Sequence, residues 1–93
     1  MSTTRVVETG RYKNTTSSVL VLTGVGYLLG VFVASASNTP TIKMSDDLTG
    51  SNVLVNTFTP SAGTFYPMPA HVGAGIYITI SGTVDCTVFF REA

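Results

Sequence analysis

The sequence predicts an all-β fold, a small antiparallel β-sandwich of jelly-roll type with seven or eight short strands. Several stretches alternate apolar and polar residues with the period of two that is typical of strands. Glycine, proline, serine and asparagine separate these stretches at short intervals, as in sandwiches and barrels. No stretch shows helical periodicity over three turns, and 93 residues are enough for a single domain.

Residues 1–16 are polar and irregular, which predicts an N-terminal arm or a weak edge strand before a domain over 17–93. Strands are predicted at 18–22 and 27–34, and the two glycines between them predict a hairpin. The second strand is apolar on both sides, which is typical of a central strand or of one that meets a neighbouring subunit. One side is predicted to carry Tyr27, Leu29, Val31 and Val33, and the other Leu28, Gly30, Phe32 and Ala34.

The remaining strands follow from alternation and from turn residues. Residues 41–46 alternate with Ile42 and Met44 inward, after a loop at 35–40, and 53–58 form a further strand. Two prolines restrict 64–68 to an edge strand or a loop. Residues 75–80 and 84–90 alternate strongly, and Ser81-Gly82 predicts a tight hairpin between them. Their inward side chains are predicted to be Ile76, Ile78, Ile80, Val84, Cys86, Val88 and Phe90.

Residues 19–36 carry no charge, which raises a membrane-spanning helix and a signal peptide as alternatives. Thr23-Gly24-Val25-Gly26 divides this stretch into pieces of strand length. The pieces are rich in β-branched and aromatic residues, which favour strands over a helix. A β-structure is therefore the favoured interpretation.

The residues that could carry chemistry are few. His71, in a predicted loop, and Cys86 are the single histidine and cysteine, and a loop histidine with a core thiol explains them better than a catalytic pair. Asp46, Asp47 and Asn52 could form a calcium site, although an acidic turn explains them as well. The sequence predicts no enzyme, no metal site and no cofactor.

The composition points to protein partners. Charged residues are 11% of the chain and the net charge is zero, which leaves too few cations for nucleic-acid binding. With so few charges on a small domain, we expect part of the surface to be covered by another chain. Aromatic residues expected to face away from a thin core are the interface candidates: Phe32, Tyr66, Tyr77 and Phe89.

Residues 17–93 resemble small β-sandwich virion proteins of tailed bacteriophages, of the head-decoration or head-fibre type. The resemblance lies in the order of four segments: SSVLVLTGVGYLLGVFVAS, TIKMSDD, FTPSAGTFYPMPA and GAGIYITISGTVDCTVFF. The chain departs from the common pattern at Met44-Ser45, where an aromatic residue is frequent. The resemblance implies a structural role and oligomeric packing, and it transfers no catalytic or binding residue.

The leading hypothesis is a capsid decoration or cement subunit on the virion surface, with copies of itself and a major capsid protein as partners. It involves no membrane, nucleic acid or small-molecule substrate. One alternative is a head-fibre or tail-associated module that binds host glycans through Tyr66, Tyr77 or Phe89. A remote alternative is a membrane protein that spans through 19–36.

Overall fold

The computed structural model describes residues 10–93 and contains no helix there. Six antiparallel strands form its sheet. Their bounds are β1 Arg11–Thr15, β2 Val19–Thr23, β3 Gly26–Ser45, β4 Val53–Phe58, β5 Thr64–Val72 and β6 Gly75–Glu92. The all-β, antiparallel sandwich expected from the alternation is confirmed.

Two long strands, β3 and β6, form a ribbon through the whole molecule. They pair from Gly26, opposite Glu92, to Ser45, opposite Tyr77. β1 and β5 flank one half of this ribbon, and we call this group the first leaf. β2 and β4 flank the other half and form the second leaf. Each leaf is therefore four strands wide, with the two ribbon strands shared between the leaves.

The ribbon bends where its register shifts. Ser37 lies opposite Thr83, but the next pair joins Thr41 to Ser81, so β3 holds extra residues at this point. Asn38 and Thr39 take the left-handed φ angles of 60° and 53°, which non-glycine residues seldom adopt. Gly82 faces them with a φ of 78°. The two strands thus pass from one leaf to the other without ending.

The inner faces of the two leaves share one apolar core. Apolar residues of both leaves belong to a single cluster of buried side chains. The first leaf contributes Leu28, Val31, Val33, Val72, Val84, Cys86, Val88 and Phe90, and the second contributes Leu22, Ile42, Met44, Ile76 and Ile78. The inward positions predicted for residues 42, 44, 76, 78, 84, 86, 88 and 90 are confirmed, and Ile80 is half-buried.

The expected count of seven or eight short strands is wrong, because the described part of the chain has six. The loop at 35–40 and the hairpin at Ser81-Gly82 both lie inside continuous strands. A glycine with positive φ suits a bend as well as a reversal, so local sequence does not distinguish the two. β3 and β6 each run through both leaves. If each is counted once per leaf, the six strands become eight short ones, which is one of the two numbers that local sequence predicts.

The hairpin expected between 18–22 and 27–34 is also wrong. Both segments are strands, but β2 pairs with the first half of β6, while β3 pairs with β4, β5 and β6. The turn at Thr23–Gly26 therefore connects the two leaves. An irregularity between Leu28 and Gly30 changes the predicted sides of β3, so that Leu28 points inward and Leu29 outward.

β1 and β5 are the two edge strands of the first leaf. Residues 11–15 pair only with β6, so they form the edge strand that was one of the two expectations for 1–16. Residues 1–9 of the expected arm lie outside the described residues. β5 contains Pro67 and Pro69 and pairs only with β3, as expected of a strand whose prolines cannot donate hydrogen bonds.

Candidate protein-protein interface

The outer face of the first leaf carries a patch of large exposed apolar side chains. It consists of Tyr12, Leu29, Phe32, Phe65 and Phe89, and we call it the aromatic face. Tyr12 is 73% exposed and Phe65 49%. Single exposed apolar residues are ordinary on protein surfaces, whereas a contiguous group of them marks an interaction site.

Strand register brings these side chains together from four strands. Tyr12 of β1 lies opposite Phe89 of β6, and Phe32 of β3 lies opposite Phe65 of β5. The rings of Phe65 and Phe89 meet edge to face, with their centroids 6.1 Å apart. Such a contact is favourable in itself and aligns the two rings. The Phe65 ring reaches Phe89 across Gly30, which has no side chain to block it.

The two ends of the aromatic face are polar and differ in charge. At one end, Asn14 Nδ2 donates hydrogen bonds to Asp85 Oδ1 at 3.2 Å and to Thr87 Oγ1 at 3.1 Å. At the other end, the Arg91 guanidinium lies 4.9 Å from the centroid of the Tyr27 ring, a cation–π contact. Tyr27 also meets His71 edge to face at 5.3 Å. An acidic end and a basic end thus border an apolar centre.

The outer face of the second leaf is covered in part by the chain itself. Residues 46–52 connect β3 to β4, and Gly50 lies over Tyr77 and Thr79 of β6. A side chain at Gly50 would begin 3.2 Å from the Tyr77 ring, and the φ of 94° there also favours glycine. Tyr77 is half-buried as a result.

Asp47 holds this covering loop in place. Its carboxylate accepts hydrogen bonds from the amides of Thr49, Gly50, Ser51 and Asn52. Desolvation would raise the pKa of Asp47, but the amides of Gly50, Asn52, Ser51 and Thr49 together lower it below its ordinary value. The ionised carboxylate is therefore the form that organises the loop.

Asp46, which directly follows β3, accepts hydrogen bonds from the turn between β5 and β6. Its Oδ1 accepts hydrogen bonds from the amides of Gly73, Ala74 and Gly75 at 3.1, 2.9 and 3.3 Å. The Ala74 and Gly73 amides lower the pKa of Asp46 most, against partial desolvation, and the Gly75 amide and the charge on His71 add to the effect.

These contacts bear on the calcium site considered at Asp46, Asp47 and Asn52. Both carboxylates are directed at backbone amides, and the Asn52 side chain donates to the Asp46 carbonyl at 3.2 Å. These hydrogen bonds therefore occupy the carboxylate and carbonyl oxygens that would have to coordinate a calcium ion. Among residues 10–93, no group of three or more histidine, cysteine or acidic side chains is arranged to hold a metal ion.

His71 and Cys86 lie far apart in the first leaf. His71 is in β5, not in the loop expected from the sequence, and lies opposite Tyr27, whereas Cys86 lies opposite Val33. Six residues along β3 correspond to roughly 20 Å at the usual strand rise. Burial, with a contribution from the charge on Asp85, raises the pKa of the Cys86 thiol to about 11. The thiol therefore packs as a small apolar group.

Tyr66 lines an open apolar groove between the edge strands β4 and β5. The groove has a volume of about 400 Å³ and is lined by Leu54, Val55, Phe58, Tyr66, Pro67, Met68, Pro69 and Ala70. The rings of Tyr66 and Phe58 lie 5.1 Å apart, and the Tyr66 hydroxyl accepts a hydrogen bond from the Ser61 amide. Tyr66 therefore belongs to the side of the sandwich and not to the aromatic face.

The structure brings together two of the four interface candidates. Phe32 and Phe89 lie on the aromatic face, Tyr77 lies beneath the covering loop, and Tyr66 lines the groove. Sequence reasoning missed Tyr12, Leu29 and Phe65 as members of the face. For Phe65 a signal was present, because one member of the adjacent pair Phe65-Tyr66 must point outward in a strand.

Comparison of the chain with known protein families, curated proteins and solved structures gives no match. Residues 19–36, considered above as a membrane-spanning helix, form β2 and the first part of β3. Over the described range, no helix has the length and apolar character required to cross a membrane.

Proposed function

We propose that this protein is a non-enzymatic structural subunit of a bacteriophage virion, a decoration or cement protein on the capsid surface. The observation that carries the proposal is the aromatic face, in which four strands present large apolar side chains to the outside. The low content of charged residues and the resemblance of 17–93 to head-decoration proteins point in the same direction.

In this role the protein acts only by burying apolar surface against its partners. Each copy contacts other copies and the major capsid protein, and removing apolar area from water contributes about 25 cal/mol per Å². A specific interface buries on the order of 1,000 Å² or more in total. When neighbouring capsomers are bridged, every copy needs only a modest affinity, because many contacts must break together before the shell opens.

Purified particles of the phage that encodes the chain provide the test. We expect many copies of the protein per particle by quantitative mass spectrometry, and lower resistance to heat and osmotic shock in particles stripped of it. Adding back the wild-type protein should restore resistance. Absence of the protein from purified particles, or stripped particles with unchanged resistance, would contradict the proposal.

A matched pair of variants ties this test to the aromatic face. Phe89→Ser removes a ring from the face, whereas Leu20→Ser removes an apolar side chain from the outer face of the second leaf. The two side chains are almost equally exposed, at 36% and 37%. We expect the Leu20 variant to restore resistance and the Phe89 variant to fail.

A host-glycan-binding role is the second candidate, favoured by a shallow cleft at the basic end of the aromatic face. The cleft has a volume of about 340 Å³, and its lining includes Tyr27, Pro69, His71 and Arg91. An aromatic ring beside hydrogen-bond donors is suited to sugar stacking. Glycan-array binding that Tyr27→Ala abolishes would support this role, and the absence of binding to any glycan would contradict it.

A further inference from the structure

We propose that the aromatic face pairs with the same face of a second copy of this chain, around a two-fold axis that places Asp85 of each copy against Arg91 of the other. The inference rests on the proposed structural role and specifies its partner. The exposed rings suggest that this face has a partner, and the distribution of charge along β6 determines how a second copy would be oriented.

The outward side of β6 has a defined polarity. Asp85, Thr87, Phe89 and Arg91 follow one another there, while the residues between them are buried. Asp85 and Arg91 are separated by roughly 20 Å at the usual strand rise. One negative and one positive side chain therefore stand at opposite ends of the apolar centre.

With the two-fold axis in the plane of the face and passing over β6, two limiting orientations bring two such faces together. If the axis runs parallel to β6, Asp85 faces Asp85 and Arg91 faces Arg91, which places like charges together. If the axis lies in the plane of the face, perpendicular to β6 and level with Val88, the second copy is reversed. Asp85 of one copy then faces Arg91 of the other, and symmetry makes this pair twice. The charges favour the second orientation.

The same orientation keeps the large apolar side chains in the centre of the interface. Phe32 and Phe65 are level with Thr87 in the sheet, and Tyr12 is level with Phe89. Reversal about an axis level with Val88 places the first row of one copy over the second row of the other. The rotation keeps each strand over the same strand of the other copy, so Phe32 meets Gly30, Phe65 meets Pro67 and Phe89 meets Thr87. The large apolar side chains thus lie at the centre of the interface and the charged pairs at its rim, which is the usual anatomy of a specific interface.

A reciprocal charge reversal tests the orientation. Asp85→Arg alone and Arg91→Asp alone each create two like-charge pairs in their own dimer. We expect each variant to weaken self-association roughly 10- to 100-fold by analytical ultracentrifugation. A mixture of the two variants forms only opposite-charge pairs between unlike copies, so we expect a heterodimer of near wild-type affinity.

Two controls keep the experiment interpretable. Lys43→Asp changes charge on the second leaf, where Lys43 pairs with Thr79 of β6, and should leave self-association unchanged. Asp85 accepts a hydrogen bond from Asn14, so Asp85→Arg risks local disruption. Asp85→Asn keeps an acceptor for that bond and removes the charge. It should weaken the dimer less than the reversal and reduce its dependence on salt.

The outcomes separate this inference from the proposed function. A wild-type protein that stays monomeric at high concentration, or a mixture of variants that associates no better than either alone, overturns the two-fold pairing. A dimer with the expected charge behaviour supports it, even if the protein is absent from virions, in which case the virion role fails by itself. Particle-bound protein that never dimerises overturns the inference and leaves the virion role standing.

Discussion

The outer faces of the two leaves have similar sequence patterns but differ in how much of each is covered by the chain itself. Both carry apolar side chains between polar ones: Phe89 and Phe32 on the first leaf, Leu20 and Tyr77 on the second. On the second leaf, the loop at 46–52 lies over Tyr77 and is fixed by the Asp47 carboxylate. On the first leaf, within the described residues, the rings of the aromatic face remain 36–73% exposed.

The difference shows how an outward apolar residue is best interpreted in a small β-protein. Alternation says that a side chain points away from the core, but not what covers it there. Tyr77 is covered by its own chain, so it needs no partner. The aromatic face has no such loop in the part of the chain that the structure describes, which is why we propose it as an interface.

The largest effect is expected from removing rings from the aromatic face. Phe65→Ser combined with Phe89→Ser should weaken self-association by on the order of 100-fold or more, because central aromatic residues dominate interface energies. The unfolding free energy of the monomer should fall by only about 2 kcal/mol, because the edge-to-face contact and the covered parts of the two rings are lost. Ultracentrifugation and urea unfolding measure the two quantities. Equal self-association of this variant and Leu20→Ser would remove the distinction between the leaves.

The covering loop is tested at Gly50. Gly50→Ala should lower the unfolding free energy by about 2 kcal/mol, because a non-glycine residue is strained at positive φ and its side chain would press on Tyr77. Gly63→Ala is the matched control, since Gly63 also has positive φ but no atom of residues 10–93 lies within 4 Å of the added carbon. It should cost about 1 kcal/mol. If the two variants are equally stable, the loop does not pack on Tyr77.

A smaller effect of opposite sign is expected inside the second leaf. The Ser45 hydroxyl is fully buried and, among the described residues, has no hydrogen-bond partner. An unpaired buried hydroxyl opposes folding, so Ser45→Ala should raise the unfolding free energy by about 1 kcal/mol. Urea denaturation measures the change. A loss of stability would show that this hydroxyl is paired.

The smallest effect at neutral pH is expected for the aspartates at the end of the sandwich. Amide hydrogen bonds hold the pKa of Asp46 below its unfolded value of 3.8, so its ionised form stabilises the fold above that value. This stability should disappear as pH falls below about 4 and through the lowered pKa. Asp46→Asn should lower the unfolding free energy slightly at pH 7 and flatten the acid limb of a stability–pH curve, because the variant lacks the charge whose contribution the wild type loses in acid. An unchanged acid limb would contradict the role of these amides.

Much of the fold could be predicted because alternation is a local signal. The buried positions of the second half of β6 follow directly from its period of two, and the prolines of β5 identify an edge strand. Strand pairing is not local. β2 pairs with residues more than 50 positions away in β6, and nothing within 18–34 distinguishes this arrangement from a hairpin.

The aromatic face was only partly predictable for a related reason. Phe32 and Phe89 lie in regular stretches, where alternation assigns their side. Leu29 lies next to an irregularity that changes the sides of β3, and Tyr12 lies in a polar segment with no alternation. For Phe65 and Tyr66, the choice between neighbours depends on β5 pairing with β3. These assignments required the register of the sheet.

Hydroxyl-radical footprinting with mass spectrometry tests the central claim most directly, by comparing the assembled protein with a sample diluted until it dissociates. We expect Tyr12, Phe65 and Phe89 to be oxidised several-fold more slowly in the assembled sample, while Leu20 reacts equally in both. Rings that are oxidised at the same rate in both samples would show that no partner covers the aromatic face.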